Sequence, residues 1–158
     1  PWSGIKYWEG YYPGEACGPT SIAIIASGYG VDITPLEAGD QCCIDLGLTP
    51  REIHSHGCGL ASWENKSNVL RYFGIENSGW SSHSKDEIRN QLSEGRPILV
   101  SVKGFYGPRS TNGHYITLLG YDETEDKVFI GDPASYCSGW FSLDVVYSAI
   151  QGTCFIES

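Results

Sequence analysis

The feature that most restricts what this chain can fold into is a change of texture at Arg96 and Pro97. Ahead of that point helix start and stop signals recur; behind it come short β-branched and aromatic runs. "CGPTSIAIIASGYG", from Cys17 to Gly30, carries Pro19 at a position suited to a first helical turn and is apolar on nearly every side. With Gly28 and Gly30 as stop signals, it predicts a buried helix. "TPLEAGD" starts a short helix with Thr34 as cap and Pro35 behind it, and "TPRE", Thr49 to Glu52, repeats the device with the reciprocal Thr and Glu of a capping box. "SWENKSNVLRYFG" predicts a helix ending at Gly74. "SKDEIRNQLSEG" predicts a surface helix with Ser84 and Glu87 as capping box and Gly95 as terminator.

Beyond Pro97, "RPILVSV", "HYITLLGY" and "KVFIGD" predict consecutive strands, the latter two joined as a hairpin by the polar turn "DETED". After "DPASYCSGW" come a last helix, "SLDVVYSAIQG", and a closing strand, "TCFIE". Helices first and strands later describe an α+β domain whose leading helix packs on an antiparallel sheet. A length of 158 residues suits one such domain, so residues 1–158 are expected to form a single one.

Composition excludes several classes. No apolar run approaches the roughly 20 residues of a membrane-spanning helix. With 10 Lys and Arg among 19 Asp and Glu, a net charge of -9 and no basic stripe, nucleic acid is not an expected partner. The chain begins at Pro1 and holds no Met, the pattern of a processed mature chain or an excised domain. Its 6 cysteines lean toward an oxidising, extracellular or cell-surface setting. If Cys17 is kept for chemistry, at most two bridges can form among the rest. The expected pairs are Cys137 with Cys154, which flank the last helix, and Cys58 with Cys42 or Cys43; the alternative is that all are reduced.

Chemistry is suggested first by Cys17. A thiol is a good nucleophile only as thiolate, and a helix N-terminus, with unsatisfied N–H groups and partial positive charge, favours that form. The same N–H groups, that of Cys17 included, could hold an oxyanion. A cysteine before a helix is more often a small buried residue, so the signal needs company. "NGHYITLLGYD" puts His114 at the start of a strand after the flexible pair Asn112 and Gly113, and "FIGDP" ends the next strand at Asp132. On neighbouring strands, Asp132 could orient the His114 ring and stabilise its protonated form. Cys, His and Asp in that order, on a helix start and two adjacent strands, fit a papain-like hydrolase.

"ACGPTSIAIIASGYG", "ITPLEA", "GRPILVSV", "GHYITLLGYD" and "VFIGDPAS" together resemble the successive motifs of the stand-alone C39-like cysteine peptidases, relatives of the leader peptidases that cut bacteriocin precursors after a double glycine. The resemblance runs from about Cys17 to Asp132. It implies a papain-like fold, Cys17 as nucleophile, His114 as base and Asp132 as orienting acid, with no cofactor and no metal. One position departs from the family. Where the leader peptidases carry an oxyanion-hole glutamine, this chain has Tyr11, and no Gln precedes Cys17. Tyr11 or Tyr12 could donate a phenolic O–H instead, or backbone N–H groups could suffice. Loss of one such donor costs roughly 3 kcal/mol in other hydrolases, about a hundredfold in rate.

Other candidates weigh less. His54 and His56, with Cys58 nearby and Cys42 and Cys43 upstream, could in principle hold zinc, but the spacing is irregular and a disulfide-tied loop is the simpler expectation. His83, among serines, is expected to be solvated. Trp2, Tyr7, Trp8, Tyr11 and Tyr12 lead into the nucleophile and would line a cleft or cover the core. The sequence thus points to a bacterial, secreted cysteine peptidase acting on a peptide or protein. A hydrolase of cell-wall peptides and a non-catalytic binding domain that keeps the fold are the alternatives.

Overall fold

The computed structural model describes residues 17–47 and 62–157. The expected helix at Thr49–Glu52, the aromatic segment with Tyr11 and Tyr12, and His54, His56 and Cys58 lie outside them. Two compact units divide the chain, Pro1–Ile75 and Glu76–Ser158.

In the first unit, α1 (Cys17–Gly28) buries Ile22, Ala23, Ile25 and Ala26, as an all-round apolar helix must. α2 (Pro35–Asp45) starts as its cap signal predicts: Thr34 Oγ1 accepts the Glu37 N–H at 3.1 Å, and Pro35 occupies the first turn, where no N–H is needed. α3 (Trp63–Tyr72) is capped by Ser62, and at its end Gly74 takes φ +83°, which lets the Ile75 N–H reach back to Leu70 O at 2.9 Å. α1 packs against both α2 and α3. Asn65 joins α3 to the end of α2, its Nδ2 donating to Cys42 O and Asp45 Oδ2, both at 2.9 Å. Beside it Lys66 is fully buried and donates to Asn65 Oδ1 at 2.8 Å; burial pulls its ammonium pKa down.

The second unit is built on a six-stranded antiparallel sheet in the order β1-β6-β2-β3-β4-β5. Its strands are β1 (Asn77–Ser81), β2 (Ile98–Phe105), β3 (Ser110–Asp122), β4 (Lys127–Gly131), β5 (Gly139–Ser142) and β6 (Ile150–Ile156). Helices α4 (Lys85–Ser93) and α5 (Leu143–Ala149) supply Ile88, Leu92, Leu143 and Val146 to a core with Ile98, Val100 and Val102 of β2, Ile116 and Leu118 of β3, and Val128 and Ile130 of β4. The capping box of α4 forms as predicted: Ser84 Oγ accepts the Glu87 N–H at 3.1 Å and Glu87 Oε1 accepts the Ser84 N–H at 3.0 Å.

Four expectations are corrected. β1 and β5 are strands that the Asn-, Ser- and Gly-bearing segments did not announce; each is held by pairing with β6 or β4 rather than by its own propensity. β3 begins at Ser110, so His114 sits within the strand opposite Val102, not at its start. The last helix stops at Ala149 because Ile150 is extended and already pairs with Val102. Cys137 and Cys154 do not pair. Cys137, in a 3₁₀ turn after β4, is a thiol, and the Cys154 thiol in β6 donates to Asn77 Oδ1 at 3.4 Å. From β4 to β6 the sheet crosses β3 and β2; those interstrand steps add to about 14 Å, whereas bridged cysteines hold their Cα atoms within about 7 Å.

Candidate active site

Cys17 is the first residue of α1, buried in the first unit. Cys17 therefore stands at a helix N-terminus, the position the sequence predicts for it. Tyr11, the suggested side-chain donor to an oxyanion, lies outside the described residues.

His114 and Asp132 meet in the second unit. β3 and β4 pair so that Thr117 faces Gly131, the last residue of β4, and the Thr117 hydroxyl donates to Gly131 O at 2.8 Å. Asp132 therefore leaves the sheet beside β3, where its Oδ1 accepts from His114 Nε2 at 2.8 Å. The proton of the imidazole is assigned to Nε2, because a carboxylate oxygen can only accept. Both side chains are nearly sealed from solvent, at 9% exposure for His114 and 0% for Asp132.

A buried carboxylate must be satisfied by donors, and this one is. Oδ1 also accepts the Ala134 N–H at 2.8 Å, the bond of an Asx turn in which an aspartate side chain accepts from the backbone two residues on. Oδ2 accepts the Tyr106 hydroxyl at 2.5 Å. The Asp132 N–H donates to Ser138 Oγ at 2.9 Å. Tyr106 is fully buried in the turn between β2 and β3, and burial first, then its bond to Asp132, pushes its phenol well above the ordinary range. The Arg109 guanidinium stands 5.8 Å from the Tyr106 ring centroid.

The sequence model described as "Peptidase_C39 like family" matches residues 5–153. The chain belongs to the C39-like peptidase family. Among solved structures, a C39-like peptidase from Bacillus anthracis is 13% identical with a TM-score of 0.66, covering 91% of this chain and 89% of that one. The peptidase domain of Streptococcus ComA is 15% identical with a TM-score of 0.63, covering 90% of each chain. A double glycine motif protease of an AMS/PCAT transporter, solved with its leader peptide, is 19% identical with a TM-score of 0.58, covering 90% of this chain and 84% of that one. These likenesses show the fold, the α+β papain-like arrangement expected from the sequence. A Holliday junction resolvase of Fowlpox virus is 23% identical over 94 residues, and the match spans 58% of this chain and little more than half, 56%, of that protein.

Of the residues singled out in the sequence, the structure joins His114 to Asp132 and sets Cys17 at the head of α1 in the other unit. Of the suggested zinc ligands, Cys43 is disulfide-bonded and Cys42 is buried, which pushes its thiol up to about 11; His54, His56 and Cys58 lie outside the described residues. His83 is not merely solvated. It is half-buried, stacked on Phe155 with ring centroids 3.7 Å apart, and its Nδ1 lies 2.5 Å from Thr153 Oγ1. Tyr106 went unnoticed in the sequence. It meets Asp132 across 26 positions of chain, and no local motif marks such a contact.

Proposed function

We propose that this C39-like chain is a cysteine peptidase that cleaves a peptide bond through an acyl-enzyme on Cys17, with His114 as general base and acid and Asp132 as its orienting carboxylate. The observation that carries it is the His114 Nε2 bond to a sealed carboxylate already held by donors on both oxygens. With Nε2 committed to Asp132, Nδ1 is the nitrogen for proton exchange, and the mechanism requires Cys17 Sγ to come within its reach. The thiol proton passes to Nδ1, the sulfur attacks the carbonyl carbon, and the oxyanion is met by N–H groups at the start of α1. Collapse breaks the C–N bond as His114 returns the proton to the leaving amine. Water then gives a proton to His114, its oxygen attacks the thioester, and the carboxylic acid and Cys17 thiol are released. No cofactor enters these steps.

A peptide is the substrate class of choice, in keeping with the leader peptide bound by the double glycine protease of similar fold. Peptides of the cell wall fall within the same chemistry. The net charge of -9 argues against the nucleic-acid substrate suggested by the viral resolvase's name.

The test is the rate of iodoacetamide alkylation of Cys17 from pH 4 to 9, located by mass spectrometry, in the wild type and in His114→Ala. A thiolate present well below a free thiol's pKa of about 8.5, and lost in the variant, is expected. A Cys17 that titrates as an ordinary thiol in both proteins would refute the mechanism and leave a binding domain on a peptidase fold.

A further inference from the structure

We propose that Tyr106 is a positioning residue for the His114–Asp132 pair: its hydroxyl holds the buried carboxylate turned so that Oδ1 faces the imidazole. The proposal rests on the function just assigned to His114 and adds a residue to it.

Among the described residues, the donors to the carboxylate are divided unevenly. Oδ1 takes His114 Nε2 and the Ala134 N–H, whereas Oδ2 takes the Tyr106 hydroxyl. The side chain of Asp132 has no exposed surface, so water does not substitute for a missing partner, and an oxygen left unbonded there drives the carboxylate to turn toward its remaining donors. A carboxylate so turned no longer accepts from His114 in line and stabilises an imidazolium less well. Tyr106 thus controls, from the far side of the carboxylate, whether the near side can do its work.

Packing alone does not call for tyrosine here. Tyr106 is fully buried, and a phenylalanine would fill the same space without a hydroxyl to desolvate. The ring is also held in place by its surroundings. The Tyr106 N–H donates to Arg109 O at 3.1 Å, closing the β2–β3 turn. Gly107 in that turn has φ +127°, and an added Cβ would stand 2.8 Å from the Phe141 ring, so the turn accepts little but glycine. Among the described residues, the titratable and charged groups that face this cluster are His114, Tyr106, Arg109 and Cys137, and Arg109 brings the fixed positive charge.

The test uses the full chain in three forms: wild type, Tyr106→Phe and His114→Ala. Alkylation of Cys17 is followed across pH with thermal melting as a control for folding, and proton NMR looks for the bonded hydroxyl. The wild type should show a downfield, exchange-protected hydroxyl resonance that Tyr106→Phe lacks. In Tyr106→Phe the acid limb of the alkylation profile should move up by about one pH unit while cooperative melting is retained. A merely structural tyrosine would lower the melting temperature and leave the acid limb in place; that result overturns the proposal. The functional reading is judged separately. If His114→Ala changes the profile and Tyr106→Phe does not, Tyr106 loses its role and the peptidase assignment stands. If the wild type itself shows an ordinary thiol profile, unchanged in both variants, both fall.

Discussion

Replacing Gly131 by alanine should damage the site from one residue away, and the structure says by how much. A Cβ built at Gly131 would lie 2.6 Å from Thr117 Oγ1 and 2.7 Å from Leu119 Cδ1. Leu119 is 39% exposed and can turn outward, so it gives way cheaply. Thr117 is fully buried and its hydroxyl bonds Gly131 O at 2.8 Å, so it cannot move without breaking that bond. Overpacking of this kind costs about 1–3 kcal/mol. For a chain of this size each kcal/mol lowers Tm by roughly 2–4 °C, which puts the expected fall at about 2–12 °C. Thr117→Ala alone should cost about 1 kcal/mol for its hydrogen bond. Combined with Gly131→Ala it also removes the obstacle, so the double variant should be more stable than the sum of the singles by about 1 kcal/mol. Urea unfolding of the four proteins measures the cycle. A Gly131→Ala variant within about 0.5 kcal/mol of wild type, or a strictly additive pair, would refute the claim that Thr117 makes glycine necessary before Asp132.

Two further outcomes are expected. Asp126 is held down to about 2, by its hydrogen bonds from Arg89 first and then from Tyr121, against an ordinary value of 3.8. A depressed carboxyl stabilises the fold above its unfolded value and loses that contribution as pH falls toward the folded one. Asp126→Asn should therefore flatten acid unfolding between these values, and it keeps the backbone, since asparagine tolerates the φ of +54° found there. Circular dichroism along an acid titration would detect the change; an identical acid transition in the variant would contradict the role given to the Arg89 pair. Cys42 has its thiol raised from 9.0 to about 11, chiefly by burial, so native protein should leave it unlabelled under the conditions that label Cys17. Because the folded state holds that proton more tightly, stability should decline as pH rises between those values; labelling of native Cys42 near pH 8 would show the burial to be wrong.

Helix boundaries were legible because their causes are local. Thr34 with Pro35, Ser84 with Glu87, and the glycines at 74 and 95 each act within a turn of chain, and each does in the structure what its sequence signal implies. The strands with β-branched cores were legible for a similar reason. β1 and β5 were not, because "NSGWS" and "GWFS" become strands only when β6 and β4 present open edges to them. The end of α5 was misjudged for the same cause: Ile150 leaves the helix to pair with Val102.

The candidate site divides along the same line. Sequence alone determined the residue types and their order: a cysteine opening an apolar helix, a histidine in a strand, and an aspartate followed by proline at the end of the next strand. Tertiary structure alone decided which distant groups share a carboxylate. Strand pairing delivers His114 to Oδ1, and the β2–β3 turn brings Tyr106 to Oδ2. It also decided that Cys137 and Cys154, close along the chain around one short helix, stand strands apart. The physical reason is common to these cases. Caps and turns are settled by dihedral angles and neighbouring hydrogen bonds, whereas sheet order and buried polar contacts are settled by which distant apolar faces must be covered together.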